Sequence, residues 1–101
     1  MTAGEIGAKV AGISWGKYIT DSIFTPLGML QSSTGSNDAQ IKFKNLATPY
    51  TVDYKGNLSM LPYDKWDNLG PAAGIVSNLN DMEKWLRFQL DSGKVNGKEI
   101  L

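Results

Sequence analysis

The clearest amphipathic pattern in the chain covers residues 78–91. Ser77 or Asn78 can cap a helix at its start, Asp81 suits the first turn, and Ser92-Gly93 can end it. Apolar side chains recur at helical spacing and share one face, which two aromatic residues widen. These residues are Leu79, Met82, Leu86 and Leu90, with Trp85 and Phe88 beside them. The pattern predicts a helix over 78–91.

A weaker helical pattern opens the chain. Ile6 and Val10 lie four residues apart within residues 2–11, which predicts a short helix there. Its several glycines and alanines are small, and glycine lowers intrinsic helix stability. We therefore expect this helix to depend on close packing against another element.

A second helix is predicted over residues 14–23. Ser14 is a candidate N-cap, and Pro26 is expected to end the helical region because proline lacks a backbone N–H. Tyr18, together with either Trp15 or Ile19, is expected to face inward.

The middle of the chain changes character. A polar loop at residues 31–38 precedes a third predicted helix at about 39–47, and β-prone residues over 50–61 predict a small hairpin or two short extended segments. Pro62–Ala73 is expected to be an ordered loop packed by its own aromatic rings, and Lys94–Lys98 a turn into another element. The predicted fold class is mainly α with a small β hairpin.

Composition narrows the chemistry. The chain has 101 residues, 10 basic and 10 acidic side chains, and neither histidine nor cysteine. A zero net charge argues against nucleic acid or acidic membranes as partners. A serine–histidine–acid triad, a cysteine nucleophile, a disulfide and a zinc site with nitrogen and sulfur ligands are all excluded within this chain. No apolar run approaches the ~18 residues of a membrane span, and no glycine-rich phosphate cradle indicates a cofactor.

Ser14 and Lys17 form the one catalytic-looking motif. Ser-x-x-Lys places a hydroxyl and an amine one helical turn apart, where lysine can help to deprotonate serine. The alternative is that Ser14 caps a helix while Lys17 faces solvent. The second reading is favoured, because no Tyr-x-Asn, Ser-x-Asn or Lys-Thr-Gly partner motif occurs in the chain.

Two other groups of residues have structural explanations. Asp64, Asp67 and Asn68 concentrate oxygen ligands but lack the spacing of a calcium loop, so turn formation explains them better. The tryptophans could stack on sugars or bases, yet each lies in an apolar pattern that favours core packing. They are Trp15, Trp66 and Trp85. We expect no metal site.

Four segments in order resemble one family. They are Gly12–Trp15, Thr25–Met29 with its Pro-Leu-Gly-Met motif, Leu46–Tyr50 and Ala72–Met82. The chain resembles the serine β-lactamase and penicillin-binding-protein family, especially its class C and esterase-like branch. This resemblance implies that the chain is part of the helical domain that is inserted into an α/β domain in a longer serine hydrolase.

The resemblance also says where the catalytic groups are expected. The family's nucleophile, lysine and tyrosine would precede this stretch, and its Lys-Thr-Gly or His-x-Gly strand would follow it, so no catalytic residue is expected here. Ala73 and Gly74 match the stretch where class C enzymes place a tyrosine-glycine at the active-site edge. Alanine in place of tyrosine leaves room for an esterase or peptidase rather than a cephalosporinase.

Residues 1–101 are therefore expected to form a single segment of a helical domain without its own activity. Its partner would be the missing α/β domain of the longer protein. Apolar surface that would contact this domain is expected to favour self-association. The longer protein is expected to be periplasmic or extracellular. The rival hypothesis is a free-standing binding module whose aromatic loop, Tyr63 to Trp66, contacts a partner.

Overall fold

A computed structural model of the chain describes residues 2–63 and 69–100. About half of the chain is helical, in α1 (Thr2–Ala11), α2 (Trp15–Ile19), a π-helical segment (Thr20–Phe24), α3 (Thr25–Leu27), α4 (Ser36–Lys42), α5 (Gly70–Ala73) and α6 (Leu79–Leu90). Two antiparallel hairpins complete it, β1 (Tyr50–Val52) with β2 (Leu58–Met60) and β3 (Lys94–Val95) with β4 (Lys98–Glu99). The structure is thus mainly α, with a second hairpin where only a turn was predicted.

The helical run after Ser14 is longer than expected, and the prediction that Pro26 ends it is wrong. The chain turns through α2, the π-helical segment and α3 before Gly28 ends the run. The Thr25 amide bonds to the Thr20 carbonyl, five residues back. This wider turn directly precedes Pro26, whose ring would otherwise crowd the carbonyl four residues earlier.

The core lies between this helical run and α6. Its buried apolar side chains are Phe24, Leu27, Met29 and Phe88. Ile19, Ile23 and Trp85 pack around them, as do Val95 and Ile100 of the C-terminal segment. The Trp85 and Phe88 rings lie 5.5 Å apart between centroids, within the range of favourable aromatic pairs.

The expected apolar stripe of α6 is not the buried one. Leu79 and Leu90 are 84% and 79% exposed, and Leu86 is 58% exposed, whereas Asp81 and Phe88 are buried. The described part of the chain packs only against the Phe88 side of the helix, so the leucine face remains open. Tyr18, predicted to face inward, is also exposed.

Helix α4 begins three residues earlier than predicted and ends five residues earlier. It starts after Gly35, buries Ala39, and stops at Phe43, whose backbone is extended. Asp38 in its first turn accepts hydrogen bonds that stabilise this early start, from the Ser33 hydroxyl at 2.6 Å and from Lys42 at 2.8 Å.

The β1–β2 hairpin lies within the predicted range of 50–61. Tyr50 pairs with Met60 and Val52 with Leu58, so these four apolar side chains share one face of the ribbon. All four are exposed. The connecting loop is held by Asp53, whose carboxylate accepts from the Lys55 and Asn57 amides, and by Gly56 at φ +84°.

Small residues let α5 pack closely on α1 and α2, where only a loop was expected over 62–73. A Cβ added to Gly4 would lie 2.3 Å from the Pro71 Cβ, and one added to Gly70 would lie 3.1 Å from the Trp15 ring. The close packing expected for the N-terminal helix is therefore present. Trp66 and the Asp64–Asn68 cluster lie outside the described residues. In the part of the chain that is described, no helix is long and apolar enough to cross a membrane.

Candidate functional site

Two segments that are distant in sequence run side by side at the centre of the molecule. Ser33 and Val76 exchange backbone hydrogen bonds of 2.8 and 2.9 Å in an antiparallel bridge. Ser33 is almost completely buried. This bridge brings residues 31–34 against residues 74–77, the segment that follows α5 and leads into α6.

A buried carboxylate ties the two segments to α6. Asp81 is only 2% exposed, and its Oδ2 atom accepts from the Gln31 amide and from the Ser32 hydroxyl, both at 2.8 Å. Its Oδ1 atom accepts from the Lys84 ammonium at 3.1 Å. Since the single Ser32 proton is donated to Asp81, the 2.8 Å contact between the Ser32 and Ser77 hydroxyls must use the Ser77 proton.

These contacts set the ionisation of Asp81. Burial by itself would raise the pKa of this carboxyl, but hydrogen bonds from Ser32, from Lys84 and from the Gln31 amide outweigh burial and hold its pKa below the usual value. Asp81 is therefore a carboxylate at neutral pH. A low-pKa carboxylate whose oxygens are already occupied suits a structural anchor better than a general acid.

The start of α6 is fixed at the same place. Asn78 caps the helix, because its Oδ1 accepts from the Asp81 amide at 2.9 Å, and its Nδ2 donates to the Gln31 side chain. Lys84, which lies one turn after Asp81 in the helix, also donates to the Gly28 carbonyl. The helix N-terminus, the 31–33 segment and the end of α3 are thus joined by polar contacts.

Ala73 and Gly74, the residues expected at the cleft edge, lie at the end of α5. Ala73 is exposed, whereas Gly74 is buried against the 31–34 segment. A Cβ on Gly74 would lie 2.7 Å from the Gly70 Cα and 2.8 Å from the Thr34 carbonyl oxygen. Since both neighbours are backbone atoms, no side chain fits at position 74.

Ser14 and Lys17 are engaged in separate contacts. The Ser14 Oγ accepts from the Lys17 backbone amide at 3.3 Å, which is the predicted N-cap contact. The Lys17 ammonium instead pairs with Asp21 at 2.6 Å, on an exposed part of the helix. The lysine amine is therefore directed to a carboxylate and not to the serine.

No metal-binding cluster of His, Cys, Asp or Glu exists within residues 2–63 and 69–100. The predicted oxygen-rich cluster, Asp64, Asp67 and Asn68, lies outside these ranges. Of the predicted aromatic residues, Trp15 is half-buried against α5 and Trp85 packs on the core.

Sequence reasoning missed the polar contacts around Asp81. Asp81 was expected only as a first-turn acid and Ser32 only as part of a polar loop. The available signal is the Ser32-Ser33 pair, which only Gln31 separates from the apolar Met29 and Leu30, since hydroxyl groups next to buried segments need partners inside the protein. The Ser33 hydroxyl donates to the nearby Asp38, but the partner of the Ser32 hydroxyl is Asp81, 49 residues away, and no local pattern identifies it.

Comparison with known proteins places the chain in a family. A sequence profile of the Beta-lactamase family matches residues 1–101. Gigasin-6 from Magallana gigas is 32% identical over 88% of this chain and 30% of its own length. Penicillin-binding protein 4 from Amycolatopsis lactamdurans is 30% identical over 89% of this chain and 24% of its own.

A solved structure agrees with these matches. The octameric penicillin-binding protein homologue from Pyrococcus abyssi superposes with a TM-score of 0.76 at 31% identity, over 90% of this chain and 20% of that protein. The chain thus spans less than a third of each of these relatives. The profile match over the whole sequence and the agreement in fold show that this chain belongs to the β-lactamase and penicillin-binding-protein family.

Proposed function

We propose that this chain is a non-catalytic, mainly helical segment of a serine hydrolase that transfers acyl groups from a β-lactam, an ester or a peptide. The observation that carries the proposal is that the family match covers all 101 residues, yet these residues correspond to less than a third of each relative reported above. The catalytic serine, lysine and tyrosine would lie in the remaining part of the protein.

The contacts of Ser14 support the absence of catalysis in this segment. General-base activation requires the amine to reach the serine hydroxyl, at about 2.6–3.2 Å in a competent pair. Here the Ser14 hydroxyl holds a helix amide and the Lys17 ammonium holds Asp21. Both of these contacts would have to break before the two side chains could act on a substrate.

The segment would form part of a helical domain packed against an α/β domain. Two exposed apolar surfaces support this arrangement, namely the leucine face of α6 and the apolar face of the β1–β2 hairpin. Ala73 and Gly74 would border the substrate cleft, with the small Ala73 side chain leaving space for an acyl group. The longer protein would be periplasmic or extracellular.

A free-standing binding module is the less favoured function. It would need the loop from Tyr63 to Trp66 to present aromatic rings to a partner. Tyr63 is only partly exposed, and its hydroxyl donates to the Ala47 carbonyl at 2.8 Å, so this ring is committed within the chain.

Hydrolysis assays test the proposed function. The purified chain and its Ser14→Ala variant should both leave nitrocefin and p-nitrophenyl acetate at the uncatalysed rate, whereas the full-length protein should hydrolyse at least one of them. Turnover by the chain that disappears in Ser14→Ala would contradict the non-catalytic role. A full-length protein that hydrolyses neither of these substrates nor any peptide would contradict the serine-hydrolase assignment.

A further inference from the structure

A short series of hydrogen bonds connects Asp81 to the segment that follows the expected cleft edge at Ala73 and Gly74. Its carboxylate holds the Gln31 amide and the Ser32 hydroxyl, and Ser32 in turn holds Ser77. The next residue along, Ser33, exchanges both backbone hydrogen bonds with Val76. Val76 is two residues after Gly74, so the carboxylate and the cleft edge are connected through a single short strand segment.

Gly74 completes the connection from the other side. It is buried where a Cβ would lie 2.8 Å from the Thr34 oxygen, so the 31–34 segment lies directly against it. Displacement of residues 31–34 would therefore change the surface on which Gly74 rests. Ala73, the adjacent exposed residue, would move with it.

The geometry requires a carboxylate at position 81. Oδ2 accepts two hydrogen bonds and Oδ1 accepts one from Lys84, so every polar contact of this side chain needs an acceptor. An asparagine offers one acceptor oxygen and one donor NH₂ group. Whichever way the amide is turned, its NH₂ group would face either the Lys84 ammonium or the Gln31 amide, so one of these two donors would lose its acceptor.

We infer that Asp81 is a positioning residue, which fixes the cleft edge at Ala73 and Gly74 by holding the 31–33 segment against residues 74–77. The inference rests on the proposed function, since that function makes these two residues part of a substrate cleft. It adds to it a residue that acts on substrate recognition without touching the substrate.

Amide hydrogen exchange in the chain tests the contact itself. Asp81→Asn should speed exchange at Ser33 and Val76 by about tenfold or more, and exchange at Gly93, whose amide bonds to the Phe88 carbonyl away from this site, by less than about twofold. Asp21→Asn, which removes only an exposed ion pair, is the matched control and should leave all three amides unchanged. Unchanged exchange at Ser33 and Val76, or equal acceleration at Gly93, would overturn the inference.

Kinetics of the full-length protein test the effect on the cleft. Asp81→Asn should raise KM for a p-nitrophenyl ester with a bulky acyl group by about threefold or more, and should change kcat for the acetyl ester by less than about twofold. Equal losses of kcat for both esters would mean that Asp81 maintains the whole fold, which would overturn the positioning role.

Two further outcomes are decided by the same experiments. If Asp81→Asn does not fold, Ser32→Ala replaces it, because this change removes the hydroxyl between Asp81 and Ser77 and leaves the carboxylate with Gln31 and Lys84. If the wild-type full-length protein hydrolyses no ester, β-lactam or peptide, the proposed function fails. Faster exchange at Ser33 and Val76 would then mean that Asp81 stabilises the fold, and the inference that it positions a cleft edge would be overturned.

Discussion

Hydrogen bonds of a few individual side chains connect residues 31–33 to helix α6. The helix caps Ser14 and Asn78 could be predicted from sequence, because a cap contacts an amide only three residues away. The burial of Asp81 could not, because it depends on Gln31 and Ser32, 50 and 49 residues earlier. The residues that mattered most for the candidate site were therefore those with distant partners.

Acid should weaken the fold through Asp81. Its pKa in the folded state is lowered, so its contribution to the free energy of unfolding is complete above the unfolded value of about 3.9 and is lost as pH falls through the lower folded value. Asp81→Asn should lower the free energy of unfolding at pH 7 by roughly 1–3 kcal/mol and flatten its dependence on pH below about 4. Urea titrations from pH 2 to pH 7 measure this.

The same titrations with Asp21→Asn provide the control. This residue takes part in an exposed ion pair, and such pairs contribute about 0–1 kcal/mol. A pH dependence of Asp81→Asn equal to that of the wild type would show that the buried contacts do not stabilise the folded carboxylate.

Among the secondary-structure elements, those marked by local sequence signals were predicted accurately, whereas those that depend on tertiary contacts were not. The bounds of α1 and α6 agree with their periodicity to within one residue, because caps and spacing mark them locally. The prediction that Pro26 ends the helical run is wrong because a π-helical turn accommodates the proline, and α4 begins earlier, at Ser36, because Asp38 bonds to Ser33 outside the helix. These differences arise from contacts and backbone geometry that no periodicity encodes.

Alanine substitutions at two glycines, Gly74 after α5 and Gly7 within α1, should have opposite effects on stability. Gly74→Ala should cost roughly 1–3 kcal/mol, because its Cβ would meet backbone atoms of Gly70 and Thr34 that cannot rotate away. Gly7→Ala should instead stabilise by about 0.5–1 kcal/mol, because it lies within α1 with no atom near the added methyl. Thermal unfolding of the two variants measures both effects, and a neutral Gly74→Ala would argue against the close contact.

For the whole molecule, the exposed apolar surface is the main departure from an ordinary small domain. The leucine face of α6 and the apolar face of the hairpin remain open in the described part of the chain. Periodicity identified the α6 face correctly as apolar, but a stripe of leucines does not reveal whether its partner belongs to the same 101 residues. The fold class could therefore be predicted more completely than the position of the core.

We expect this surface to cause weak self-association of the isolated chain. Sedimentation velocity over roughly 10–100 µM should show a sedimentation coefficient that rises with concentration, because contiguous exposed apolar surface favours association. Leu86→Glu together with Leu90→Glu should restore the monomer, whereas Gln89→Glu on the same helix should not. A wild-type chain that stays monomeric throughout this range would contradict the expectation.

The Ser33–Val76 bridge has a consequence for how the sequence can change in length. The stretch of chain between these two residues contains the β1–β2 hairpin, whose connecting loop Asp53–Asn57 is exposed. The entropic cost of a longer loop grows only with the logarithm of its length. Insertions and deletions in this exposed loop should therefore leave the Ser33–Val76 bridge in register, so the hairpin can change in length without altering the contacts around Asp81.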